Sequence, residues 1–175
     1  TTARALDPAR MAPGVTLLGA YTQDGFAAWL VDAQGKELHR WHARFSEVFP
    51  APSHILWQAR DQAVSWHGMH LFPNGDLLFN FQDANFPFGS GLVKLDKDSK
   101  VVWKLAANTH HDVMVEPDGT IWVPAHHYRP QGLPGFPHLQ PWYYEDVVLE
   151  VAPDGTVRDA EVGVASAQDP SAFQA

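Results

Sequence analysis

An internal repeat constrains the fold of this chain more than any other feature. Segments 67–80 and 111–124 align without a gap, and the second begins 44 residues after the first. Each segment contains an apolar run, a Pro-Asn-Gly or Pro-Asp-Gly turn and a second apolar run, which predicts a β-hairpin. Gly75 and Gly119 supply the positive φ that such turns require.

A second type of hairpin follows each copy of the repeat. Segments 91–105 and 147–158 each pair two apolar runs across a turn, and an earlier copy occupies 28–41. Trp41 and Trp103 fall at matching points on the last predicted strand of their copies. Four strands per unit, at a period in the forties, are typical of a β-propeller blade.

We therefore predict an all-β fold made of β-propeller blades, each with four antiparallel strands. The whole chain, 1–175, then forms a single propeller segment of about two and a half to three blades. Its predicted parts are a partial blade at about 14–45, a connecting segment at 46–65, blades at 67–105 and 111–162, and a C-terminal tail at 163–175. Because propellers close with about four to eight blades, we expect further blades from the same or another chain. The alternative fold is a β-sandwich with two similar hairpins.

Composition excludes several classes of function. Lys and Arg number 12 against 20 Asp and Glu, and the net charge of −8 disfavours a nucleic-acid-binding protein. No stretch reaches the roughly 18 to 20 apolar residues of a membrane-spanning helix. The absence of Cys excludes disulfides, thiolate metal sites and Cys nucleophiles. The 10 His residues are therefore the main candidates for chemistry.

Two of these histidines occupy the same position in the repeat. The first strand of every propeller blade lines the central channel, so equivalent residues of successive blades converge near its axis. We expect His67 and His111 to face one another around one mouth of this channel. The alternative is that each His caps a loop through a backbone hydrogen bond.

Strand alternation selects among the neighbouring residues. In a regular strand only one of two adjacent side chains can face the channel. Of His110 and His111 we favour His111, because it aligns with His67. His127 and Arg129 share one parity just past the second strand, so both can approach the same mouth.

Two loops carry the candidate residues for binding an aromatic ligand. The longer loop, 128–145, is rich in Pro and aromatic residues, and it includes Tyr128 and Trp142. A shorter loop contains Asn85, which is the repeat partner of Arg129. We predict that His127, Tyr128, Asn85 and Trp142 contact the substrate. Long loops in compact domains are often functional, but packing over the propeller face is the alternative.

Three segments resemble the blades of the bacterial arylsulfate sulfotransferase-like propellers. Residues 109–123 and 66–78 resemble that family's His-Asp-x-x-x-x-Pro-(Asn/Asp)-Gly-x-(Ile/Leu) pattern, and 92–103 resembles its strand pair ending in Trp. The resemblance spans about residues 15–160. It implies a transferase that moves a sulfuryl group between aryl sulfates and phenolic acceptors, through a transiently sulfated His and without a dissociable cofactor. It also implies a small aromatic substrate and a periplasmic or secreted protein.

The resemblance extends to individual residues. His111 and Arg129 resemble the family's assisting His and Arg in order and approximate spacing, and His67 resembles a channel His of the preceding blade. The family's nucleophilic His lies on a blade further along, past the last residue of this chain. Val113 stands where the family carries an Asn. We therefore expect either that the nucleophile lies outside these residues or that the chemistry differs.

Two other functions fit the same residues. Histidines converging on a channel from several blades can hold Cu or Zn, which would make the protein a metal-dependent oxidoreductase or hydrolase. A propeller can also serve as a non-catalytic binding module, since the fold alone determines no activity. The sulfotransferase interpretation is favoured and assigns no metal ligand.

Overall fold

A computed structural model describes residues 8–10, 12–55, 59–84, 89–137 and 143–162. Helical structure in these ranges consists of one short α-helix, α1 (Phe45–Val48), and two 3-10 turns at Pro8–Arg10 and Asp61–Ala63. No helix within them is long and apolar enough to span a membrane. Almost all regular structure is therefore β-strand.

The strands form three antiparallel sheets. The first contains β1 (Thr16–Thr22), β2 (Gly25–Val31) and β3 (Glu37–His42). The second contains β4 (Val64–Leu71), β5 (Leu77–Asp83), β6 (Gly89–Leu95) and β7 (Val101–Leu105). The third contains β8 (Met114–Val115), β9 (Ile121–Arg129), β10 (Tyr143–Val151) and β11 (Val157–Val162). Each sheet pairs its strands in chain order, so the predicted all-β fold, with the sheets of a partial propeller, is confirmed.

The two repeated turns form as the sequence predicts. Gly75 adopts a φ of 89° between β4 and β5, and its N–H donates to the Phe72 carbonyl at 2.9 Å. Gly119 adopts a φ of 88° between β8 and β9, and its N–H donates to the Glu116 carbonyl at 2.9 Å. A side chain with a Cβ would be strained in this left-handed region, which explains the Gly at both positions.

The hydrophobic core lies between the sheets, because β5 is buried on both faces. Phe79 and Phe81 point to the first sheet, where they pack in one cluster with Trp41 and Trp66. Leu78 points to the third sheet and packs in a second cluster with residues of β9 and β10. Burying each such side chain stabilises the fold by roughly 1.5–3 kcal/mol, which favours packing of the three sheets against one another.

The predicted equivalence of Trp41 and Trp103 in the repeat is wrong by two residues. His39, rather than Trp41, occupies on β3 the position that Trp103 occupies on β7, because the two strand pairs share the same turn length and the same register shift. The His39 Nε2–H donates to the Lys97 carbonyl at 2.7 Å, and the Trp103 Nε1–H donates to the Pro153 carbonyl at 2.9 Å. Both acceptors lie in the turn before the last strand of the neighbouring sheet. The two bonds therefore tie successive sheets together in the same way.

Candidate functional site

The loop before β8 begins as a short extension of the third sheet. The His110 N–H donates to the Pro124 carbonyl at 2.9 Å, and the His126 N–H donates to the Asn108 carbonyl at 2.9 Å. Segment 108–110 thus runs antiparallel to the middle of β9. This pairing places the ring of His110 on that of His126, with 3.8 Å between centroids and 22° between planes.

His111 then leaves the sheet in an unusual backbone conformation. Its φ is 58°, in the left-handed region, which costs a residue with a Cβ about 1–2 kcal/mol. Its N–H donates to the Gln82 Oε1 atom at 3.0 Å, and its ring Nδ1 lies 2.6 Å from the Nδ1 of His110. The alternation of a regular strand does not apply here, so both rings belong to one cluster. His110 is buried and the His111 ring is exposed.

A buried amide of the second sheet holds this loop. Asn80 is fully buried on β5, and its Nδ2 donates to the carbonyls of His110, at 3.4 Å, and Asp112, at 3.2 Å. Neither Asn80 nor Gln82 was predicted from the sequence as part of the site. Their signal is a polar residue at every second position after Leu78, within a strand whose other residues before Asp83 are apolar.

The structure brings His67 to the same loop. The β4 register shifts between His67 and His70, and Gly68 adopts a φ of 56°. A Cβ on Gly68 would lie 2.6 Å from the Asp112 Cα, so β4 passes directly against the loop of His111. Burial lowers the pKa of His67, and the charge of His111 lowers it further. The two repeat-equivalent histidines are thus electrostatic neighbours.

A carboxylate completes the cluster on the third sheet. Asp146 lies opposite His126 in the β9–β10 pairing, and the His126 Nδ1–H donates to its Oδ1 at 2.6 Å. The His110 Nε2 lies 3.7 Å from the same oxygen. Burial is the main cause that lowers the pKa of His110 to about 4, and the charges of His126 and His111 add to the effect. Burial also lowers the pKa of His126, although Asp146 opposes the change.

Regular alternation along β9 separates the other predicted residues. His126 and Tyr128 share one face of the strand, whereas His127 and Arg129 share the other. On that second face, the Arg129 Nε donates to Glu145 Oε2 at 2.8 Å, and its Nη2 donates to the same oxygen. Arg129 is therefore an exposed ion-paired residue on the face opposite the stacked histidines. Its predicted catalytic role stays a prediction, as does the role of His127.

Aromatic side chains continue the face that carries His126. The rings of Tyr128 and Tyr144 lie 5.3 Å apart, and the ring of Tyr144 lies 5.8 Å from that of His126. The other two predicted binding residues, Asn85 and Trp142, lie outside the described residues. Tyr128 is thus the predicted substrate contact that the structure brings to the histidine cluster.

The cavities near and far from the cluster differ in size. A cleft of about 520 Å³ lies between the first two sheets at the turn end of β4, lined by Trp41, His39 and Leu71 among others. A smaller cleft of about 200 Å³ lies beside the histidine loop, and its lining includes Asp112, Val113 and Trp122. Of these two clefts, the smaller one adjoins the loop that carries His111.

The histidine cluster lies within the part of the chain that matches a known family. Residues 68–160, just over half of the 175-residue chain, match the family model described as Arylsulfotransferase (ASST). The match includes His110, His111, His126 and Asp146 and begins one residue after His67. No curated protein matches the chain.

Proposed function

The chain belongs to the arylsulfotransferase (ASST) family, and from this membership we propose that its histidine cluster serves sulfuryl transfer from an aryl sulfate to a phenolic acceptor. His111, His67 and Arg129 are the residues we assign to the transferred group. The proposal assigns no sulfated nucleophile to the described residues.

The position of His111 carries this proposal. Its ring is exposed, while its backbone is held by Gln82 and its Nδ1 contacts the Nδ1 of the buried His110. A residue held in a sparsely populated backbone conformation by its surroundings is characteristic of functional sites. With Nδ1 engaged by His110, the Nε2 of His111 is the atom that can meet a ligand.

The chemistry requires hydrogen-bond donors and a group that moves a proton. Transfer breaks the bond between sulfur and the aryl oxygen and forms a bond between sulfur and the acceptor oxygen. The phenolic acceptor loses a proton, and the departing aryloxide gains one. Imidazoles can perform both proton transfers, and N–H donors stabilise the negative sulfuryl oxygens. We assign His67 to the same sulfuryl group as His111, because β4 passes directly against the loop of His111 at Gly68.

Arg129 has a conditional part in this proposal. Its guanidinium is bound to Glu145 on the face of β9 opposite His126, so it can contact the sulfuryl oxygens only if it releases Glu145 and reaches around to the histidine face. An Arg fork is well suited to such an oxyanion. The aromatic rings of Tyr128 and Tyr144 offer apolar faces for the aryl group of the donor.

The test is a transfer assay with 4-nitrophenyl sulfate as donor and phenol as acceptor, followed by release of nitrophenolate and formation of phenyl sulfate. We expect His111→Gln and His67→Gln each to lower turnover about 100-fold or more, as expected for the loss of a proton-transfer group. His42→Gln is the matched control, because His42 is exposed on β3 outside the cluster. Full activity of His111→Gln, or no transfer by the wild-type protein, would contradict the proposal.

A further inference from the structure

Three side chains of the histidine cluster converge in a way that the proposed sulfuryl transfer does not require. One ligand atom each from His110, His126 and Asp146 lies within 4.8 Å of the other two. The Asp146 Oδ1 is 2.6 Å from the His126 Nδ1 and 3.7 Å from the His110 Nε2. Two imidazoles and one carboxylate are a ligand set that zinc uses in enzymes.

We propose that His110, His126 and Asp146 bind a divalent transition metal ion, with Zn²⁺ as the representative. Zinc binds such ligands at about 2.0–2.2 Å, so tetrahedral ligand atoms lie roughly 3.4 Å apart. The His126–Asp146 distance is shorter than this value and the His110–Asp146 distance is longer. Small rotations of the three side chains would therefore accommodate the ion.

The environment of His110 distinguishes this cluster from an ordinary His–Asp hydrogen bond. The Asp146 carboxylate already pairs with His126, and that pair needs no second imidazole. His110 is nevertheless only 6% exposed, and its Nε2 has no hydrogen-bond partner in the described part of the chain. Buried polar atoms normally have partners, so an unpaired ring nitrogen beside a carboxylate indicates a missing ligand.

The backbone supports such a site. His110 is fixed by its N–H bond to Pro124, and His126 and Asp146 are paired residues of two regular strands. Asp146 is partly exposed, so an ion and a water ligand can enter from its side. A bound ion would join the loop of His111 to β9 and β10, which makes this site a structural support that is independent of the proposed reaction.

The experiment measures metal binding, so its result is independent of activity. The full chain is treated with EDTA, transferred to chelator-free buffer and titrated with Zn²⁺ by calorimetry, and bound metal is counted by mass spectrometry. Co²⁺ is then used as a spectroscopic probe, because tetrahedral coordination gives it a strong visible absorption. We expect one equivalent of metal in the wild-type protein.

Three substitutions locate the site. We expect His110→Ala, His126→Ala and Asp146→Asn each to weaken binding at least tenfold and to remove the Co²⁺ absorption. Asp146→Asn retains an oxygen that can accept the His126 hydrogen bond, so it tests coordination without removing that bond. His42→Ala, at an exposed histidine of β3, should bind as the wild type does. No binding by the wild type, or unchanged binding by Asp146→Asn and His110→Ala, would overturn the proposal.

Discussion

The Nδ1 atoms of His110 and His111 lie 2.6 Å apart, so two consecutive residues share a hydrogen bond between their rings. Exactly one of these nitrogens carries the hydrogen, because two bare or two protonated nitrogens would repel each other. His110 is buried and its pKa is lowered to about 4, which keeps it neutral near pH 7. The tautomer of His110 therefore determines whether the Nδ1 of the exposed His111 ring donates or accepts this hydrogen bond.

Removing the His110 ring should impair His111 without affecting substrate contact. We expect His110→Ala to lower turnover about tenfold with little change in KM, because His110 lies behind His111. His110→Asn should recover most of this loss, since the Asn amide reaches the position of Nδ1. The measurement is steady-state aryl sulfate transfer in the presence of a chelator, which removes any contribution of bound metal. Equal losses in both variants would mean that the ring contact does not position His111.

Replacing Asn80 should destabilise the loop from the neighbouring sheet. Asn80→Leu keeps the approximate volume but removes both hydrogen bonds to the carbonyls of His110 and Asp112. Leaving these carbonyls unpaired should lower the free energy of unfolding by about 1–3 kcal/mol. Urea unfolding provides the measurement, with Gln34→Ala, in an exposed turn, as a control that should change little. Wild-type stability of Asn80→Leu would show that the amide does not hold the loop.

The sequence predicts the hairpins well because their turns depend on local chemistry. Gly75 and Gly119 form the same turn 44 residues apart, as the aligned repeats predict. The equivalence of His39 and Trp103 could have been read from the sequence, because the turns at 32–36 and 96–100 have the same length and align 64 residues apart; matching the two Trp residues by type misplaced the pair by two. The irregularities in the two strand pairs fall at equivalent places, after Leu30 and after Lys94, and therefore leave this alignment unchanged.

The aligned repeat also made part of the site predictable. The repeat places His67 and His111 at equivalent positions, and the structure makes them electrostatic neighbours. The role of His110 was missed, because alternation was assumed where His111 adopts a positive φ and the chain leaves the strand geometry. The role of His126 was missed because the opposite face of β9, with His127 and Arg129, was favoured. The cross-strand carboxylate Asp146 depends on the β9–β10 register, which cannot be derived across a long loop.

The contact between β4 and the histidine loop depends on Gly68. A Cβ at this position would lie 2.6 Å from the Asp112 backbone, and the φ of 56° would be strained in addition. We expect Gly68→Ala to destabilise the protein and to reduce transfer activity, because the loop must move away from β4. Gly135→Ala is the matched control, since Gly135 has a φ of 85° but nothing within 4 Å of its Cβ position.

The difference between these two variants separates strain from collision. Backbone strain alone should cost about 1–2 kcal/mol in both. Only Gly68→Ala should lose more than this amount, as measured by thermal and urea unfolding. If Gly68→Ala were no less stable than Gly135→Ala, the close approach of β4 to the loop would not exist in solution.

Acid should destabilise the metal-free protein between about pH 6.5 and pH 4. The pKa of His110 is about 4 in the folded state, against an ordinary value of 6.5. In this window the unfolded chain binds a proton at His110 and the folded protein does not, so protonation favours unfolding as the pH falls. The pKa of His126 is lowered as well and acts in the same direction.

Substitution of His110 isolates its share of this effect. The lowered pKa corresponds to at most about 3 kcal/mol of stability at pH 7 that is lost by pH 4. We expect the free energy of unfolding of His110→Asn to fall less steeply over this window than that of the wild type, by about 2 kcal/mol in total. Urea unfolding at pH 7, 5.5 and 4.5 in the presence of EDTA measures both slopes. Parallel slopes in the two proteins would mean that His110 is not buried as a neutral imidazole, and the ring contact with His111 would then lose its basis.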